Sequence, residues 1–230
     1  LVAGPSAAPL AALLAERDPL RGAPPDLLLR LKAIDRPVPD AHRPTLDRIR
    51  AEAKRLERQV RTAQKPGLSV GQMAALAYPD RIGLRRTGDA PRWVLSGGKG
   101  AAMPPGLPLS GARMIVATDL DGDLREAQVR QAVAIDEEDV RALYADRIVW
   151  HDLCEWSRRD AKVLSRRQER LGALVLADRP WPDAPPDAMA KAALDGLRQI
   201  GLPWTASARR LRARIRLMAD DSFPDVSDAA

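Results

Sequence analysis

The 230-residue sequence predicts an α+β protein: a helical segment, then a small antiparallel β-barrel, then a helical C-terminal extension. Three observations predict it. Over residues 1–78 apolar residues recur every three or four positions behind recognisable caps. Over 79–182 glycines and prolines cluster between short apolar runs. Over 183–230 the helical period returns.

In the first segment Leu10, Leu13 and Leu14 share one helix face. After Pro24-Pro25, Asp26 caps a helix that presents Leu27, Leu31 and Ile34. The next helix carries Leu46, Ile49, Ala53, Leu56 and Val60 as one apolar stripe among Arg, Glu, Asp and Lys. Ser69-Val70-Gly71-Gln72 is a capping box, and the helix it opens stops near Tyr78 because Pro79 follows.

In the middle segment Arg92 to Leu95 reads as a strand leading into the loop Ser96-Gly97-Gly98-Lys99-Gly100. Met114 to Leu120 is a second, more buried run that ends in the turn pair Asp121-Gly122. Val129, Val133 and Ile135 mark a third. Asp136 to Tyr144 is a short helix with an acidic first turn. Ile148 to Trp150, Ala161 to Leu164 and Leu171 to Leu176 complete the set. Five or six short strands with a helix between the third and fourth is the order of an OB-like barrel. Beyond it, Asp187 caps a helix through Ile200, with Gly201 at its C-terminal end. Thr205 opens another, with Ala208, Leu211, Ile215 and Met218 inward. The first residue is Leu, and Ser227 to Ala230 starts a further helical pattern, so both ends read as cuts.

Composition narrows the function classes. With 45% hydrophobic and 30% charged residues the chain is globular, and with 3% aromatics its core is aliphatic. The net charge is +6, carried by 31 Arg and six Lys. Arg grips phosphate through a planar fork of donors, which suits a nucleic-acid partner. A GC-rich genome also favours Arg, and the absence of Asn fits that reading. One cysteine, Cys154, leaves no internal disulfide. No apolar run approaches the ~18 residues a membrane span needs, and Leu1 to Leu14 lacks a basic leader. A cytoplasmic location without membrane contact is therefore expected.

Several motifs invite a chemistry and lack a part of it. Ile115 to Asp123 is an apolar strand ending in Asp119-Leu120-Asp121-Gly122, which resembles the first motif of haloacid-dehalogenase-type phosphatases. There one Asp attacks phosphorus, a second is the general acid, and Mg2+ neutralises the phosphate. Asp220, Asp221 and Asp225 mimic that family's later acidic motif. The alternating strand–helix units of a parallel sheet are missing, so an Asp-Gly turn is the plainer reading. Gly97-Gly98-Lys99-Gly100 lacks the spacing and the hydroxyl of a P-loop. His151 and Cys154 have no second ligand pair for zinc, and with His42 they supply no triad. No catalytic, metal or cofactor residue is assigned. The tryptophans Trp93, Trp150 and Trp204 lie in apolar settings and are read as core. Three arginine runs remain: Arg81, Arg85 and Arg86; Arg166, Arg167 and Arg170; and Arg209, Arg210, Arg212, Arg214 and Arg216. Three runs of one sign suggest a surface that tracks phosphates.

One resemblance spans nearly the whole chain. Tyr78-Pro79-Asp80-Arg81-Ile82, Trp93-Val94-Leu95-Ser96 with Gly98-Lys99-Gly100-Ala101, and the strand into Asp119-Leu120-Asp121-Gly122 resemble the OB-fold region of bacterial HrpB-type ATP-dependent helicases. These belong to the DEAH/RNA-helicase-A group of superfamily 2. Leu13 to Leu20 resembles the end of that family's helical ratchet domain. Leu171 to Leu176, Leu194 to Arg198, Gly201 to Thr205 and Leu211 to Arg214 also fit, and Phe223 to Asp228 looks like its C-terminal extension. The family's Asn before the loop glycine is Gly97 here.

The resemblance implies three parts: the end of a ratchet-like domain over 1–78, an OB-fold-like barrel over 79–182, and an extension over 183–230. It implies an accessory region that holds single-stranded RNA or another nucleic acid. The RecA-like motor domains, with ATP and Mg2+, lie outside this chain, and no catalytic residue carries over. Expected phosphate contacts are Arg81, Arg85, Arg86, Arg92 and Lys99, followed by Arg209, Arg212 and Arg216 on one helix face. The rival reading is a protein-interaction module that docks on the motor or a partner. The phosphatase of Asp119 and Asp121 is the remote one.

Overall fold

The structure is a computed structural model and describes residues 4–36, 38–59, 67–123, 125–201, 204–218 and 226. Val60, Leu202, Pro203, the acidic group Asp220, Asp221 and Asp225, and the terminal readings at 223–225 and 227–230 lie outside the described residues. The chain is α+β and divides into two units. The first comprises Leu1–Val149 with Arg170–Leu176, the second Trp150–Glu169 with Ala177–Ala230.

The first unit begins with four helices: α1 (Ala7–Ala15), α2 (Leu27–Asp35), α3 (Arg43–Glu57) and α4 (Val70–Ala77). Their local signals act as written. The Asp26 carboxylate accepts from the Leu28 N–H at the start of α2. The capping box is reciprocal: the Gln72 N–H donates to Ser69 Oγ at 3.1 Å, and the Ser69 N–H to Gln72 Oε1 at 2.8 Å. Leu10, Leu13, Leu27, Ile34, Leu46, Ile49 and Ala53 are buried as their spacing requires. One buried polar group is less expected. Arg30 is 1% exposed and fans its guanidinium over Asp18, at 2.8 Å, and the carbonyls of Pro24 and Asp26.

After α4 the chain forms a closed barrel of five strands: β1 (Ile82–Arg85), β2 (Arg92–Leu95), β3 (Gly100–Ala102), β4 (Met114–Leu120) and β5 (Glu126–Ala134). Their order around the barrel is β1-β2-β3-β5-β4, with β4 returning to β1. All neighbours are antiparallel except β3 and β5, which run parallel, so the expected all-antiparallel barrel is corrected at one seam. The crossing is possible because β4 lies elsewhere in the ring, between β5 and β1. The strands β1 and β3 were not read from the sequence: Gly83 interrupts the apolar run of β1, and β3 is only Gly100-Ala101-Ala102.

The helix expected within the barrel comes after it. α5 (Glu137–Leu143) follows β5, and β3 is joined to β4 by a 3-10 turn at Pro108–Gly111. The run Met114–Ala117 is continuous rather than alternating because both its faces are covered. Ile115 joins Trp93, Leu95, Val129 and Ala132 inside the barrel, while Met114 and Val116 join the helices outside it.

The last three strands are not part of the barrel. β6 (Val149–Ser157), β7 (Lys162–Leu171) and β8 (Leu174–Pro180) form their own sheet in that order. The apolar run Leu171 to Leu176, read as one strand, contains the turn between β7 and β8. Gly172 sits there at φ 58°, where a side chain's Cβ would stand 2.4 Å from the Ser96 carbonyl oxygen.

In the second unit α6 (Pro186–Ile200) ends on Gly201, whose N–H donates to the Leu197 carbonyl at 2.7 Å. Asp187 lies in the first turn of α6 rather than at its cap. Thr205 caps α7 (Ala206–Met218) through the Ala208 N–H. Within α7 the inward face differs from the expected one. Ala208, Arg212 and Ile215 are half-buried, whereas Leu211 and Met218 are 59% and 62% exposed. Among the described residues no helix is long and apolar enough to cross a membrane.

Candidate nucleic-acid interface

The structure divides the first set of predicted phosphate contacts. Arg81 precedes β1, and Lys99 closes the loop after β2, so both stand at one end of the barrel. They line a recess of about 460 Å³ with Asp80, Leu95, Gly97, Asp119, Leu120 and Asp121. Two cations there face three carboxylates. Arg81 also donates to the Thr118 carbonyl at 3.1 Å and lies over the Tyr78 ring at 5.0 Å.

Arg85 and Arg92 lie toward the opposite end, because β1 and β2 pair antiparallel with Arg85 opposite Trp93. The two ends are roughly 15 Å apart along the strand. Arg85 is turned inward on its own loops. It donates to the carbonyls of Ser110 and Asp89 and lies 5.7 Å from the buried Trp93 ring. Arg92 is exposed and bridges to Glu126 at 3.4 Å. Arg86 is exposed, with its backbone N–H on the Arg92 carbonyl and its guanidinium beside Gly100.

The Asp-Gly motif builds a turn. β4 pairs antiparallel with both β1 and β5, so it does not end at the edge of a parallel sheet as the phosphatase motif requires. Asp121 Oδ1 accepts from the N–H groups of Asp123 and Gln128. The backbone N–H groups of Glu126 and Arg125 hold the Asp123 carboxyl below the usual aspartate range, with burial opposing and Lys99 adding to the effect. These carboxylates shape the β4–β5 connection. Among the described residues no group of three or more His, Cys, Asp and Glu is placed to hold a metal ion.

The second predicted set stays together. Arg209, Arg212 and Arg216 line a shallow recess of about 500 Å³ on α7 with Ala213 and Leu217. Arg212 lies 4.8 Å over the Trp204 ring and donates to the Val226 carbonyl at 2.7 Å, which orients it along the helix. Residues 206–218 hold five arginines and no acidic residue.

The β6–β8 sheet holds two further Arg–Trp pairs that sequence reasoning missed. Arg179 lies 4.2 Å over Trp150 and Arg167 5.0 Å over Trp181. Trp93 is buried as expected, but Trp150 is 44% exposed. The first four residues of β6, Val149 to Asp152, are all exposed on this edge strand.

No protein-family model matches the chain. Among curated proteins it is similar to the ATP-dependent RNA helicase HrpB of Escherichia coli strain K12, 28% identical over 178 residues. The match covers 74% of this chain and 22% of that protein. Among solved structures it is similar to the crystal structure of the E. coli DExH-box NTPase HrpB, with TM-score 0.59 and 26% identity over 97% of this chain and 27% of that one. A second crystal structure, of the E. coli DEAH/RHA helicase HrpB, matches with TM-score 0.58 and 24% identity, covering 97% of this chain and 28% of that one. The chain thus spans about a quarter of the length of these relatives.

Proposed function

We propose, for a chain that is a segment of an HrpB-type helicase, that it serves as an accessory nucleic-acid-binding region. It holds single-stranded RNA, or another single strand, for RecA-like motor domains that this sequence does not contain. The parent protein is then an ATP-dependent RNA helicase, with ATP and Mg2+ bound in the motor. In this reading the barrel is OB-like, and the protein works in the cytoplasm.

The observation that carries the reading is the arginine face of α7. Arg209, Arg212 and Arg216 lie on one side of a helix with no carboxylate among its residues. Arginines three and four residues apart lie side by side on a helix, and each supplies forked donors to a phosphate. The barrel cations are less available. Arg85 is engaged by carbonyls and Arg92 by Glu126, while Arg81 donates to the Thr118 carbonyl and shares its recess with Lys99 and three aspartates.

Fluorescence anisotropy with labelled oligouridine across a KCl series tests this. Affinity is expected to fall steeply with salt, and Arg209→Ala with Arg216→Ala to lower the slope by about 0.7 for each lost contact. Salt-independent binding, or an unchanged slope in that variant, rejects the α7 assignment. A second reading, docking on the motor or a partner protein, is favoured by Leu211, Leu217 and Met218, which are 59%, 89% and 62% exposed on the same helix. Replacing those three with Ser separates the readings: loss of docking with RNA affinity intact supports the second.

A further inference from the structure

One face of the β6–β8 sheet is only half covered. Side chains two apart on a strand share a face, so Trp150, Asp152, Cys154 and Trp156 form a single row on β6. α6 covers the far half of that row. Cys154 Sγ lies 3.9 Å from Met189 Sδ, and Gly196 lies so close to Trp156 that a Cβ there would stand 2.2 Å from the ring. The near half is open, with Trp150 and Asp152 exposed.

The open half carries charge as well as aromatic surface. Arg167 bridges Asp152 at 2.8 Å and lies over Trp181, which ties β6, β7 and the end of β8 into one patch. Arg179 and Trp181 are also two apart and share this face. Arg179 lies 4.2 Å from the Trp150 ring, and among the described residues it has no carboxylate partner. A large indole on an edge strand is thus left 44% exposed beneath an unneutralised guanidinium.

We propose that Trp150 and Trp181, with Arg179 and Arg167, form a stacking platform for the bases of a single strand of nucleic acid, separate from the α7 arginine face. This rests on the reading that the chain binds single-stranded nucleic acid. A base stacks on the exposed part of the Trp150 ring, and the in-plane N–H groups of Arg179 donate to the adjoining phosphate. Every base has a π-face, so the platform is sequence-tolerant. Bases in a duplex are already stacked on each other, so it prefers single strands.

The test uses the full chain, fluorescein-labelled oligouridine, the same strand carrying 5-bromouracil for photo-crosslinking, and polyglutamate as an acidic polypeptide probe. Trp150→Ala is expected to weaken oligouridine binding roughly ten-fold, the scale of one lost base stack. Its salt slope stays unchanged, whereas Arg179→Ala lowers the slope by about 0.7. Trp150→Phe keeps most of the affinity, and crosslinks map to peptides containing Trp150 or Trp181. If Trp150→Ala fails to fold, the Phe variant and the crosslinks decide. Wild-type affinity in Trp150→Ala and Trp181→Ala, with crosslinks confined to α7, overturns the platform and leaves the α7 reading standing. An equal loss toward polyglutamate also overturns it, since stacking then plays no part. No binding of oligouridine by the wild-type chain overturns both.

Discussion

The two units are stabilised by different physics. In the first, aliphatic side chains from the helices and from both faces of β4 and β5 fill two continuous cores. Its arginines are drawn inward onto carbonyls and carboxylates, as at Arg30, Arg81 and Arg85. In the second, few side chains are buried. Ala192 and Gly196 are the buried residues of α6, and α7 has none. Its arginines lie over Trp150, Trp181 and Trp204, or pair with carboxylates at the surface, as Arg166 does with Asp178 and Arg198 with Asp195. The difference teaches that a count of basic residues does not locate a binding surface. Where the core is thin, arginines are held on half-exposed rings and surface carboxylates, and a guanidinium such as that of Arg179 stays within reach of solvent.

The largest break in this contrast is expected inside the barrel. Trp93 is fully buried and its indole N–H donates to the Ala112 carbonyl at 3.1 Å. Trp93→Ala is expected to cost about 3–5 kcal/mol in urea unfolding, through a cavity and an orphaned carbonyl. A smaller loss would mean that the barrel interior collapses around the gap.

Next comes the buried cation of the first unit. Arg30→Met removes the partner of Asp18, whose side chain is only 25% exposed, and is expected to cost about 3 kcal/mol. Burial raises the Asp18 pKa, but the hydrogen bond from Arg30 and the Leu20 N–H outweigh it and hold the carboxyl below its ordinary value. A depressed carboxylate pKa adds stability above the unfolded value of about 3.9, and that stability is lost as pH falls through the folded value. Asp18→Asn should therefore flatten the acid limb of a stability-against-pH curve below about pH 4. An unaltered limb would exclude this pair as its source.

The smallest expected effect probes the second unit. At Gly196 an added Cβ would stand 2.2 Å from Trp156, so Gly196→Ala must displace the ring. The expected cost is about 1–3 kcal/mol, read as a lower Tm. A neutral result would show that the thin unit repacks freely, which sharpens the contrast with the barrel.

Legibility in the sequence followed the range of the forces involved. The capping box at Ser69, the cap at Asp26, the strand Met114–Leu120 and the glycine ending α6 were readable because each acts within a few residues. The strands β1 and β3 were not, since Gly83 interrupts the short apolar run of β1 and Gly100-Ala101-Ala102 carries no large side chain. Of the candidate interface, the joint position of Arg209, Arg212 and Arg216 was readable from helical spacing. The parting of Arg81 and Lys99 from Arg85 and Arg92 was not, because it depends on the register of β1 against β2.

By itself the sequence determined the α+β class, the caps at Asp26 and Ser69, the buried run of β4 and the excess of arginine. Those are local propensities and composition, written in consecutive residues. Only the tertiary structure decided that the barrel closes through a parallel seam between β3 and β5, before α5 begins. Only it decided which arginines are engaged and which tryptophan is left open. Both outcomes depend on residues far apart in the chain meeting across strands, where burial and pairing override what any one segment prefers.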